Sequence, residues 1–111
     1  MKWISFVIAV AVVTAPYAGL AQGPSFDCAR AGSPTERAIC GSPQLSQQDR
    51  VISALYSDLH RALGPAARDR LLTEQRAWLA GRNSCGADKG CIATMSDDRI
   101  RVLEARSREV F

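Results

Sequence analysis

Apolar positions fall into one nearly unbroken run followed by several interrupted stripes, and the two patterns predict different things. From Trp3 to Ala15 the chain is apolar almost throughout and uncharged, with Lys2 just ahead of it. Pro16 breaks any helix, and Gly19-Leu20-Ala21 places small residues at the positions a signal peptidase reads. A membrane span needs roughly 20 apolar residues, and this run is shorter and has no basic cluster behind it. The expectation is a cleaved signal peptide over residues 1–21, cut after Ala21, which sends residues 22–111 to the periplasm or the exterior. No Cys stands at the cut, which argues against a lipid-anchored form.

Beyond the leader the apolar residues recur every three or four positions. Ser33-Pro34-Thr35-Glu36 has the form of a capping box with Pro at the first helical position. It predicts a short helix to about Cys40, ended by Gly41. Ser42-Pro43 opens a second helix by the same logic. Leu45, Gln48, Ile52, Leu55, Tyr56, Leu59 and Leu63 form its apolar face, and Gly64-Pro65 ends it. A third helix runs from about Pro65 to Arg82 with Leu71, Leu72, Gln75, Trp78 and Leu79 on one side. Cys85 to Gly90 reads as a loop in which Asp88 caps the last helix, whose apolar residues are Cys91, Ile92, Met95, Ile100, Leu103 and Val110. No stretch alternates with period two. The predicted fold class is therefore all-α: a small antiparallel bundle of three main helices and one short N-terminal helix, because short loops bring the stripes together only in that way.

A domain of about ninety residues has a thin core, and covalent staples are useful to it. Four cysteines in an exported chain read as two disulfides. Three pairings are possible; the spacing favours Cys28–Cys40 and Cys85–Cys91, with a long-range crossed pairing as the alternative. The first would tie an extended N-terminal segment to the end of the short helix. A zinc site is set aside, since no Cys-x-x-Cys occurs and His60 is far from every Cys.

The order Phe26-Asp27-Cys28, Glu36, Ile39-Cys40, Leu45, Asp49, Tyr56, Gln75-x-x-Trp78-x-x-x-Arg82-x-x-Cys85, Cys91, Arg99-Ile100 and Leu103 resembles the LprI-type lysozyme inhibitor N-terminal domain family of secreted bacterial proteins. The resemblance spans about Phe26 to Leu103 and makes residues 22–111 a single LprI-like helical domain. The sequence departs from the family at Ser96, where an aromatic, commonly Tyr, is expected. The resemblance implies a protein partner, with a lysozyme as the most concrete candidate; no cofactor is expected.

Most of the motif residues have a structural reading of their own. Gln75, Trp78 and Arg82 share a helical face, which suits either a binding strip or a core Trp78 with Arg82 stacked on it and Gln75 on a buried backbone group. Asp27 and Asp49 read as helix caps or arginine partners, Arg99 as a motif residue of structural role, Tyr56 as a half-buried ring and His60 as an exposed bystander. There is no Gly-x-Ser-x-Gly elbow, and no carboxylate pair is marked as catalytic, so catalytic residues are expected to be none.

Charge refines the picture of the partner. The net charge of the chain is +3, and +2 without Lys2, too little for strong nucleic-acid binding. Residues 83–98 nevertheless carry Lys89 against Asp88, Asp97 and Asp98, a local acidic patch around the second proposed disulfide. A cationic lysozyme would meet acid there. In the structural reading Asp88 caps the helix while Asp97 and Asp98 pair with Arg101. The functional expectation is an exported, non-enzymatic protein-binding domain that blocks a lysozyme cleft sterically. The alternative is a structural or adaptor protein of the cell envelope. A membrane-surface role for Arg99, Arg101, Arg106 and Arg108 ranks last, as these form no clean polar stripe.

Overall fold

Helix starts coincide with the capping residues. The computed structural model describes Ala11 and residues 23–111; the leader and its cut after Ala21 lie outside the described residues. Ser33 Oγ accepts from the Glu36 amide at 3.0 Å ahead of α1 (Pro34–Cys40). Ser42 Oγ accepts from the Leu45 amide at 3.2 Å ahead of α2 (Pro43–Ala62). Gly64, with no side chain to cap, precedes α3 (Pro65–Asn83). Asp88 Oδ1 accepts from the Cys91 amide at 3.0 Å at the start of α4 (Lys89–Val110). Each side-chain cap satisfies an amide that the first turn leaves without a partner. The described residues contain no strand.

Ahead of α1, where the sequence predicts an extended segment, Cys28–Arg30 forms a short 3₁₀ turn. Asp27 is the cause: its Oδ1 accepts from the Ala29 amide at 2.9 Å and closes the turn locally. The disulfides are Cys28–Cys40 and Cys85–Cys91. The first ties this turn to the end of α1. The second spans the α3–α4 loop, where Gly86 has φ near +60°, a conformation that glycine adopts without a Cβ clash.

The apolar stripes meet in two clusters. Ile52, Leu59, Leu71 and Leu103 are buried together, with Leu55, Tyr56, Leu63, Trp78 and Ile100 packed around them. Ile39, Leu45 and Ile92 form the second, under Phe26 and Cys85. α2 makes its most extensive contacts with α4. Buried hydroxyls join the short helix to both neighbours: Thr35 Oγ1 donates to the Gly86 carbonyl at 2.6 Å, and Ser46 Oγ donates to the Ile39 carbonyl at 2.7 Å. Val110, counted in the apolar face of the last helix, is 40% exposed. It occupies the final turn, beyond Leu103, and lines an open pocket with Leu59, Leu63, Ala67 and the charged Arg70 and Glu74.

Candidate functional site

The helix faces that carry Gln75, Trp78 and Arg82 on α3 and Asp49, Ile52, Ser53 and Tyr56 on α2 do not close completely. Between them lies an open groove of about 440 Å³. Glu36 from α1 and the Ser25–Phe26 segment complete one end, while Leu72, Arg76 and Leu79 extend the α3 wall. The groove thus gathers Phe26, Glu36, Asp49, Tyr56, Gln75, Trp78 and Arg82, residues that are scattered through the sequence motif. Its walls are largely apolar and its charges sit at defined places.

One end is organised by a buried ion pair. Arg82 Nη1 stands 3.7 Å from Asp49 Oδ1, and the two side chains are only 7% and 11% exposed. Arg82 also donates through Nε and Nη2 to Asn83 Oδ1, and its guanidinium lies 5.6 Å from the centre of the Trp78 ring. Burial pulls its pKa down, while the charges of Asp49 and then Glu36 hold it up. The second Asp49 oxygen accepts from the Ser25 amide at 2.6 Å, and Arg50 Nη1 donates to the Gly23 carbonyl at 2.6 Å. The N-terminal segment is therefore clipped to α2 at the groove's edge.

Glu36 behaves differently from what its position in the sequence suggests. A closed capping box would turn its carboxylate back to the Ser33 amide. The Ser33 half of that exchange is present. Glu36 instead lines the groove, and its carboxylate takes no hydrogen bond or ion pair among the described residues.

The far wall is held from α4. Trp78 Nε1 donates to the Met95 carbonyl at 3.0 Å, which fixes the ring half-buried at the base of the groove. Gln75 Oε1 accepts from Arg99 Nε at 2.9 Å. Gln75 thus meets a side chain and not a buried backbone group: Arg99 is 7% exposed and requires an acceptor inside the fold. Burial is the main cause that lowers the Arg99 pKa; Arg106 adds to it, and Glu74 and Tyr56 oppose it. Ser96, where the motif expects an aromatic, is 4% exposed, so a ring there would have to enter the interior.

The acidic residues marked from sequence lie elsewhere. Asp88 caps α4. Asp98 pairs with Arg101 at 3.2 Å, both largely exposed. Asp97 does not join that pair: its Oδ1 accepts from Gln48 Nε2 at 2.8 Å, since Gln48 on α2 reaches across to α4 and also donates to the Ala93 carbonyl. Asp27 caps its 3₁₀ turn and faces Arg30. Tyr56 is half-buried, and so is His60, whose ring centre lies 5.8 Å from that of Tyr56. His60 therefore lies half-buried beside a tilted Tyr56 ring and not on the open surface expected for it. Among the described residues no cluster of His, Cys, Asp or Glu is arranged to hold a metal ion, and no helix is long and apolar enough to cross a membrane.

What sequence reasoning missed is the groove itself and the free carboxylate in it. A strip of Gln75, Trp78 and Arg82 on one helical face is visible in the sequence, but its facing wall comes from three other segments. Comparison with known proteins gives one result: the family model described as "Lysozyme inhibitor LprI" matches residues 27–103. No curated protein and no solved structure matches the chain.

Proposed function

The chain belongs to the LprI lysozyme inhibitor family, and from that premise we propose that it is an exported domain that binds a lysozyme and blocks its cleft sterically, without chemistry of its own. The observation that carries this reading is the extent of the match. It runs from Asp27 to Leu103 and takes in both disulfides and all four helices, the last in part. A rigid inserted surface is what steric blockage requires, and two short covalent loops stiffen a small domain.

In this reading residues 1–21 are the cleaved leader, and residues 22–111 act as one domain in the periplasm or outside the cell. Disulfides accord with an oxidising compartment. Successive long helices run in opposite directions as a small bundle. The contacts of Gln75 with Arg99 and of Trp78 with Met95 support opposed directions for α3 and α4. Asp88, Asp97 and Asp98, all exposed, offer acid to a cationic enzyme around the Cys85–Cys91 turn.

The test is a turbidity assay of cell-wall lysis by a chicken-type lysozyme, with a binding titration alongside. The oxidised protein should slow lysis at micromolar concentration and lose that effect on reduction. Joint replacement Asp97→Asn and Asp98→Asn should weaken binding and leave the fold intact, because the amide oxygen introduced at position 97 would still accept from Gln48. Folded, oxidised protein that neither binds nor protects would remove this enzyme type as the target and favour an adaptor role in the envelope. Binding unchanged by the two Asn replacements would discard the acidic patch.

A further inference from the structure

We propose that the α2–α3 groove is a socket for a single cationic side chain, an arginine, presented by the partner protein. This deepens the lysozyme reading by naming a second contact beside the acidic patch and the group it grips, and it rests on that reading only for the partner's identity.

The charges in the groove are unevenly placed. At the α1 end Asp49 and Glu36 face one base, Arg82. Asp49 is already engaged by Arg82 and by the Ser25 amide. Arg82 is nearly removed from solvent and has its own carboxylate and amide acceptors. Glu36 is left over, half-buried and without a partner among the described residues. The next base on the α3 wall, Arg76, lies six residues earlier, roughly 9 Å away along the axis at the usual helical rise. At the α1 end of the groove Glu36 and Asp49 therefore outnumber the one base, Arg82, while Arg76 balances the count only over the lining as a whole.

The rest of the lining suits the stem of the same residue. Tyr56, Trp78 and Leu79 are each half-buried, so they present apolar surface to the slot without being covered by it. An arginine lays methylenes along such a wall while its head reaches a carboxylate. Its planar fork also matches a carboxylate through paired hydrogen bonds and stacks on aromatic rings, which an ammonium group does less well. A volume of about 440 Å³ lies in the range of sites for small ligands and is too small for a docked helix. The open capping box is the local sign of this arrangement. Glu36 gives up a bond within its own helix and stands free in the groove.

Trp78 is the built-in reporter. The chain has Trp3 and Trp78 only, and Trp3 falls in the expected leader, so the tryptophan fluorescence of residues 22–111 comes from the groove wall alone. The probe is N-acetyl-arginine amide, with N-acetyl-citrulline amide as its uncharged counterpart. The expected result is a saturable change in Trp78 emission, at least about tenfold tighter for the arginine probe, with the preference reduced to within about twofold by Glu36→Gln. Ser53→Phe, which fills the slot from α2 and leaves Glu36 in place, should abolish saturation by both probes. No saturation by the arginine probe, equal affinity for the two probes, or a preference that survives Glu36→Gln would overturn the socket.

Lysozyme titrated against the same proteins separates the two readings. Arginine-probe binding without lysozyme binding would leave the socket standing and remove the lysozyme partner. Lysozyme binding weakened at least about fivefold by Glu36→Gln, in protein with an unchanged melting curve, supports both. Lysozyme binding equal in wild type and Glu36→Gln would overturn the groove as the docking face while the inhibitor reading stands.

Discussion

Asp49 and Arg82 form an ion pair across the α2–α3 groove that is almost wholly withdrawn from water, with Arg82 stacked against Trp78 and Asp49 also holding the Ser25 amide. One pair thus links α2, α3 and the N-terminal segment. Removing one member of a buried pair leaves the other charge unsolvated, which costs more than the pair contributes. Asp49→Asn should therefore lower stability by about 3 kcal/mol in urea unfolding. The double replacement Asp49→Leu with Arg82→Met should recover most of that loss, because no charge remains buried. A double variant as unstable as the single one would show that the pair's hydrogen bonds, and not its stranded charge, set the cost.

How far this arrangement is legible in the sequence depends on the distance over which each part is decided. Ser33-Pro34, Ser42-Pro43, Gly64-Pro65 and Asp88 mark helix starts through bonds that span three residues, and the helices begin there. The two disulfides close short loops, which is what the spacing favours. The groove is different: its walls join residues from position 25 to position 82, and no local pattern encodes which side chains face each other. Arg99 illustrates the limit. Its place in the motif is visible, but its burial and its bond to Gln75 depend on how α3 lies on α4. Glu36 shows the converse, a local signature whose second half gives way to tertiary surroundings.

Gly81 lies inside α3, where glycine costs about 1 kcal/mol relative to alanine. An added Cβ would meet the Met95 methyl at 3.0 Å, tight enough that Met95 must shift. That contact is with the far end of an unbranched, flexible side chain, which can turn aside at low cost. Gly81→Ala should raise stability by about 0.5 kcal/mol in urea unfolding. A loss of stability would mean that Met95 is held by its surroundings.

The two disulfides should contribute unequally. Their sequence separations are 12 and 6 residues, and the chain-entropy relation then gives roughly 3 kcal/mol for Cys28–Cys40 and roughly 2 kcal/mol for Cys85–Cys91. Replacing each pair with alanine and comparing denaturant midpoints tests the order. The reverse order would point to the loop at Gly86 and its bond from Thr35 as depending on the second bridge for more than chain entropy.

Glu74 should make a small part of the stability pH-dependent. Its carboxyl is held below the ordinary value of 4.5, first by a hydrogen bond from Arg106 and then by the charges of Arg106, Arg99 and Arg70, against a smaller opposing effect of burial. A carboxyl depressed in the folded state contributes stability that is complete above its unfolded pKa and disappears as pH falls through the folded one. The Glu74 and Arg106 side chains are 40% and 36% exposed, so solvent screening keeps the contribution below about 1 kcal/mol. Glu74→Gln should be less stable than wild type by that small amount at about pH 7, and the difference should shrink as the pH is lowered below 4.5. A difference that stays constant from about pH 7 to about pH 3 would show that Glu74 acts through packing and not through its charge.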